Sequence, residues 1–234
     1  MIAHPADWKE VGKEASLSKI EFLIIKILKE LDCQSLSLSG GVDSALLLSY
    51  LVDIYGKDIT CYTIACSFEH EDSINSHFIA NKFGVKLIRH IMPYIPPTFK
   101  EEGDLPGDEI VRAFYNNLKK LGVKRIITGD GIDELMGGYY YHMKQPGEKS
   151  FFRYLAKLQK QQLIPLDKNS GQIEVLLPYL DFRLINLLSY FPTWKKFDSR
   201  SRKKIIYALA KKKGLPSCIL ERRKYGFCDA MRIK

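Results

Sequence analysis

No apolar run in this chain approaches the ~20 residues that a bilayer-spanning helix needs. The densest stretch, Phe22 to Leu28, is interrupted by Lys26 and reads as part of an amphipathic helix. The amino terminus lacks a basic segment followed by an apolar core, so no secretory signal is read there. The five cysteines (Cys33, Cys61, Cys66, Cys218, Cys228) form no CxxC pair, and the five histidines make neither an HxxxH nor an HExxH spacing. These absences argue against a membrane protein, a disulfide scaffold and a zinc site, and they fit the reduced cysteines of a cytoplasmic protein. Repeats and low-complexity tracts are missing as well.

What is present is an ordinary globular composition, 46% hydrophobic and 27% charged, over 234 residues. That length suffices for one well-filled α/β domain, or for one domain with a helical appendage. The net charge of +9 is concentrated in the last third, in Lys195-Lys196, Arg200 to Lys204, Lys211 to Lys213 and Arg222 to Lys224. It suggests an anionic partner, either nucleic acid or a polyphosphate ligand. For most of these lysines a solvated helical face is the simpler reading.

Periodicity organises the rest. Leu17, Ile20, Ile24, Ile27, Leu28 and Leu31 form one helical stripe, with Ser18 and Glu21 spaced for a capping box and Leu17 and Phe22 for a hydrophobic staple. Strands are expected at Ser35 to Ser39, Ile59 to Cys66, Lys86 to Met92 and Lys124 to Thr128. Helices are expected at Ser44 to Tyr55, Asp72 to Phe83 and Asp108 to Leu121 between them. This alternation predicts an α/β fold, a parallel sheet covered by helices on both faces, whose ligands sit beyond the carboxyl ends of the strands. From about Ser150 the pattern turns helical, near Phe151 to Gln162, Asp181 to Tyr190 and Ser201 to Lys213. The expected organisation is a helical region over 1–34, a nucleotide-binding core over 35–150 and a helical part over 151–234.

The strongest chemical signal is Ser39-Gly40-Gly41-Val42-Asp43-Ser44 between a strand and a helix. Glycines let the backbone approach an anion, and the helix start aims free N–H groups and a positive dipole end at it. Ser39 and Ser44 add hydroxyl donors. Asp43 would repel a phosphate unless Mg²⁺ bridged the two. A tight turn with an N-cap serine is the bland alternative. No Gly-Lys-Ser/Thr follows, so this is not a Walker A loop.

The loop resembles the pyrophosphate loop of the N-type ATP pyrophosphatases, a group that includes asparagine, GMP, NAD and argininosuccinate synthetases and tRNA-thiolating enzymes. Three further segments resemble the synthetase domain of asparagine synthetase in particular. Thr128-Gly129-Asp130-Gly131-Ile132-Asp133-Glu134-Leu135-Met136-Gly137-Gly138-Tyr139 is similar to its SGEGxDExxGGY signature, and Leu177 to Arg183 to its PFLDxR segment. Lys204 and Lys224, twenty residues apart, are similar in spacing to its two active-site lysines. The resemblance implies a Rossmann-like, adenine nucleotide alpha-hydrolase-like fold with ATP and Mg²⁺ as cofactors. It implies activation of a carboxylate, aspartate or a relative, as an acyl-adenylate, followed by aminolysis by ammonia or another amine. Asp43 and Asp133 correspond to metal ligands, Lys204 to the lysine on pyrophosphate, Lys224 to the one near the α-phosphate, and Asp130 to a general base. Ser37, Leu38, Ile64, Thr128 and Gly129 correspond to positions lining adenine and ribose, with Ser39, Gly40, Gly41 and Ser44 on the phosphates.

The pattern also breaks. With Ile2 at position 2 and the first strand near Ser35, a fused glutaminase domain is expected to be absent. That leaves free ammonia, a separate glutaminase subunit or another amine as the donor. Asp130 stands where the family has glutamate, Leu176 where it has arginine, and the stretch from Met92 to Arg112 is compressed. A leucine cannot hold a carboxylate as an arginine fork does, so the acid substrate stays open. Three rival readings remain: an amide or lactam synthetase of another acid, a tRNA-modifying pyrophosphatase, and a non-catalytic nucleotide-binding subunit.

Overall fold

The structure is a computed structural model that describes residues 15–223. Helix α1 (Leu17–Leu31) leads into β1 (Ser35–Ser37), α2 (Val42–Tyr55), β2 (Thr60–Ala65), α3 (Glu71–Phe83), β3 (Lys86–Ile91), α4 (Asp108–Lys120) and β4 (Arg125–Ile127). Short helices α5 (Ile132–Met136), α6 (Tyr140–Lys144), α7 (Glu148–Leu155) and α8 (Ile164–Ser170) precede β5 (Glu174–Leu176). Helices α9 (Phe182–Ser189), α10 (Thr193–Lys196), α11 (Lys204–Lys212) and α12 (Ser217–Leu220) complete the described chain. None of the helices among the described residues is long and apolar enough to cross a membrane.

The five strands are all parallel, in the order β3-β2-β1-β4-β5. Each β-branched run ends in a turn and a crossover helix, which is why the sheet is parallel and buried on both faces. The expected α/β architecture is therefore present. One face is sealed by α1, α2, α3, α9 and α11 around Leu36, Leu47, Tyr50 and Leu209. The other is sealed by α4 and α8 around Tyr62, Ile64, Phe114 and Ile126. Strand order reverses between β1 and β4, so the loops after these two strands open a crevice at the carboxyl edge.

The differences from expectation have local causes. Strand β5 was not expected, because three residues just ahead of a sequence motif carry no periodic signal; it pairs with β4 and extends the sheet beyond residue 150. The helix expected over Phe151 to Gln162 is instead α7, a π-helical turn at Gln159–Leu163 and then α8, with Pro165 in the first turn of α8. At α1 the N-cap is Ser16, whose hydroxyl accepts from Lys19 N at 3.2 Å, so the Ser18–Glu21 capping box does not form. Glu21 instead meets Tyr50 Oη and Lys212 Nζ, and Leu17 and Phe22 are exposed, so no staple forms either.

Two single substitutions separate the caps. Ser16→Ala should lower the unfolding free energy by about 0.5–2 kcal/mol in a urea titration. Ser18→Ala, on an exposed helical surface, should be neutral or stabilising by a few tenths of a kcal/mol; the reverse order would return the cap to Ser18.

Candidate active site

The loop after β1 is braced before any ligand arrives. Leu38 N donates to Tyr62 O at 2.8 Å, and Leu38 O accepts from Ser76 Oγ at 2.7 Å. Gly40 has φ +68, and an added Cβ would stand 2.7 Å from Asn75 Cβ, so only glycine fits against α3. Ser39 and Ser44 tie the turn, with their hydroxyl oxygens 3.2 Å apart and Ser39 N donating to Ser44 Oγ at 3.2 Å. Gly41 is the N-cap of α2 and supplies no side-chain cap. The first-turn amides of this 14-residue helix thus remain available to an anion.

The loop after β4 closes on it. Gly129 lies against Asp43, an added Cβ there falling 3.4 Å from Asp43 Cβ. Thr128 N donates to Leu176 O at 3.0 Å, and Thr128 Oγ1 donates to Asp130 Oδ2 at 2.6 Å. Asp133 sits in the first turn of α5, and Gly138 N donates to Asp133 O at 2.7 Å. A side chain at Gly138 would overlap the Asp133 carboxylate and the Lys203 stem, which accounts for the second glycine of the pair.

Between the two loops lies Lys203. Its Nζ is 2.5 Å from Asp43 Oδ2 and 2.6 Å from Asp133 Oδ1, and its side chain is 3% exposed. Burial alone would lower the lysine's pKa; the two carboxylates outweigh it and hold the ammonium charged well above the usual range. Lys203 adopts φ +49 at the N-cap of α11, an unusual conformation for a non-glycine residue that turns its side chain into the crevice. Its N–H donates to Met136 O at 3.2 Å, and Arg202 donates to Gly138 O at 2.9 Å, stitching this segment to the second loop.

Lys204, expected at the pyrophosphate, is placed elsewhere. That residue is the first of α11, and its Nζ goes to Trp194 O at 2.9 Å and Asp198 Oδ2 at 2.5 Å, away from the crevice. The helix expected from Ser201 begins at Lys204, and this late start gives the inward direction to Lys203. Lys224 lies outside the described residues.

The crevice holds a cavity of about 380 Å³ lined by Ser37, Ser39, Asp43, Ser44, Thr128, Gly129, Asp130 and Asp133, with Lys203, Arg202, Arg222 and Arg223. Most sequence-selected residues therefore meet in one place. Leu38 and Ile64 point their side chains into the two cores, which leaves only their backbones to face a ligand, and Gly40 and Gly41 form the turn. Leu176 is likewise packed in the core.

Sequence reasoning missed four supports. Tyr179, fully buried, donates to Asp43 O at 3.0 Å, so the Leu177 to Arg183 segment holds the first loop by its backbone. Tyr139 donates to Glu134, and Arg222 pairs with Asp72 and, at 3.6 Å, with Glu71 at the start of α3. Tyr115, on α4, lines the cavity opposite; burial first and the Asp130 charge second keep its phenol protonated. Tyr139 and Tyr179 lay inside recognised motifs, yet hydroxyl-to-loop contacts leave no mark on spacing.

Comparison with known proteins points to one family. The sequence model of the Asparagine synthase family matches residues 34–172. Asparagine synthetase [glutamine-hydrolyzing] 3 of Arabidopsis thaliana is 32% identical over 127 residues, which cover 49% of this chain and 22% of the plant protein. A probable asparagine synthetase [glutamine-hydrolyzing] of Acanthamoeba polyphaga mimivirus is 26% identical over 221 residues, covering 84% and 40% respectively. The chain thus spans less than half the length of these curated relatives. In fold it is similar to NMN synthetase from Francisella tularensis, at a TM-score of 0.51 and 13% identity over 91% of this chain and 77% of that one. With more than half of its residues matched by the family's sequence model, and that match spanning both loops of the crevice, the chain belongs to the asparagine synthase family.

Proposed function

We propose that this chain is an ATP-dependent amide-forming ligase that activates a carboxylate as an acyl-adenylate, releases pyrophosphate and transfers the acyl group to ammonia or another small amine. The observation that carries the reading is the meeting of Asp43, Asp133 and Lys203 at the mouth of a glycine-rich loop and a helix amino terminus.

The residues fit Mg²⁺ that arrives with the nucleotide. Asp43 Oδ1 is buried without a hydrogen-bond partner, and two carboxylates aimed at one ammonium are hard oxygen donors. Two carboxylates and one ammonium leave a single net negative charge beside the phosphate loop, which a polyphosphate tolerates only with added positive charge. Among the described residues no three His, Cys, Asp or Glu side chains are grouped to hold a metal by themselves, so phosphate oxygens and water would complete the shell. Bound there, the metal would neutralise the charge that develops on the leaving pyrophosphate.

The chain's own groups do the rest. Amides of the loop and the first turn of α2 hold phosphate oxygens, and Ser39 and Ser44 turn their hydroxyls to them. Lys203 lies where it can follow the pyrophosphate as the α–β bridging bond breaks. A carboxylate oxygen of the substrate bonds to the α-phosphorus, and the bridging oxygen leaves with the electron pair. In the second half, the amine's lone pair attacks the acyl carbon, AMP departs, and Asp130, oriented by Thr128, receives the proton the amine loses.

The positive charge gives less support to a nucleic-acid partner than its sum suggests. Lys203, Lys204, Lys212, Lys213 and Arg222 all pair with carboxylates of the same chain.

Asp43→Asn should abolish formation of AMP and pyrophosphate from ATP, Mg²⁺ and the acid, assayed by separating the nucleotides; undiminished pyrophosphate release would remove Asp43 from the metal. Lys203→Ala should lower kcat by about 100–1,000-fold with circular dichroism unchanged. Lys204→Ala should stay within about threefold of the parent, as expected for a partly exposed ion pair. Equal losses in the two lysine variants would undo the assignment of Lys203.

A further inference from the structure

Two walls of the cavity differ in kind. The cationic lining residues, Arg202, Lys203, Arg222 and Arg223, come from the segments just before α11 and just after α12: Arg202 and Lys203 meet the second loop, and Arg222 pairs with the start of α3. The facing wall is built by Leu105, Val111 and Phe114, at the entry to and along α4, and by Pro165 and Leu166 of α8. Among the described residues that line it, this wall contains no cation, and its charged member is a carboxylate, Asp108, which accepts from Leu105 N at 3.0 Å. Leu105 remains 39% exposed at the mouth, an apolar side chain left in water at the edge of a cleft.

This wall is built to hold its shape. Arg112 Nη2 donates to Asn169 Oδ1 at 2.7 Å and to Asp104 Oδ1 at 2.8 Å, and Nη1 reaches Phe99 O. One guanidinium therefore joins the loop before α4, α4 itself and α8, and it is fully engaged on the outer side of the wall. The π-helical turn at Gln159–Leu163 brings Gln161 and Gln162 to the same cavity, and such turns gather at functional sites. The wall is also on the Asp130 side: Tyr115, one residue after Phe114, lies within reach of the Asp130 charge.

We infer that the acid activated here is a monocarboxylate with an uncharged apolar body, seated between α4 and the turn entering α8. The inference rests on the adenylation reading above. A second carboxylate on the substrate would face Asp108 without a cation from this wall, and like charges in a partly desolvated cleft repel. An aliphatic or aromatic body gains contact with Val111, Phe114 and Leu166 instead. The two glutamine amides can select a neutral polar group at its far end.

The test is ATP–pyrophosphate exchange by the full chain with MgATP and a panel of acids: aspartate, glutamate, leucine, phenylalanine, 4-methylvalerate and phenylacetate. The expected result is exchange with one or more monocarboxylates at an apparent KM about tenfold or more below that for aspartate. Exchange that favours aspartate or glutamate overturns the inference and leaves adenylation standing. Exchange with no acid overturns adenylation and the inference with it. Leu166→Ala should raise KM for the preferred acid about tenfold with KM for MgATP held within about twofold. Val111→Ala makes the same measurement should Leu166→Ala not fold. A rise confined to MgATP would show that the wall seats the nucleobase, and would overturn the inference.

Discussion

A lysine ammonium taken out of water needs more than one opposite charge to keep it protonated, and here Lys203 has two. Asp43 comes from the loop after β1 and Asp133 from the loop after β4, so this triad joins the two lips of the crevice where the strand order reverses. Removing one of the carboxylates leaves the buried Lys203 ammonium with half its compensation, whereas Asp43 and Asp133, about one-fifth exposed, keep some contact with water. The same fact makes the triad responsive. Its charges are balanced only in part, and a polyphosphate with its own cation can redistribute them without further desolvation.

Much of the surrounding backbone follows from that arrangement. Lys203 can reach the carboxylates because its backbone turns into the left-handed region just before α11. Gly138 stays bare because the lysine stem and the Asp133 carboxylate occupy the space a side chain would need. Tyr179 holds the carbonyl of Asp43, and Arg202 holds that of Gly138, so each lip is fixed through its backbone while its carboxylate faces the cavity. Preorganisation of this kind is what charge stabilisation during phosphoryl chemistry depends on.

The sheet was legible because short apolar or β-branched runs alternate with glycine stops and helical stretches, and those signals are local. The first loop was legible because Ser-Gly-Gly-Val-Asp-Ser between strand and helix has few other uses, and the second through its resemblance to a family signature. Beyond this, local signal ran out. β5 is three residues long, and its place is decided by pairing with β4. The cap of α1 moved from Ser18 to Ser16 because hydroxyls two residues apart look alike in sequence. The choice between Lys203 and Lys204 rests on a single backbone dihedral, and counting twenty residues back from Lys224 could not see it. The apolar wall gathers residues about fifty positions apart in sequence, brought together by the packing of α4 on α8 and the Arg112–Asn169 hydrogen bond.

The most direct test of the central claim follows oxygen rather than rate. The preferred acid, labelled with ¹⁸O in its carboxylate, is turned over with MgATP and ammonium, and the phosphate-containing products are analysed by ³¹P NMR. If the carboxylate attacks the α-phosphorus in this crevice, the label appears in AMP and pyrophosphate is unlabelled. Label in inorganic phosphate together with ADP would contradict the account, because the acid would then have been activated at the γ-phosphorus and the triad of Asp43, Asp133 and Lys203 would have to be explained anew.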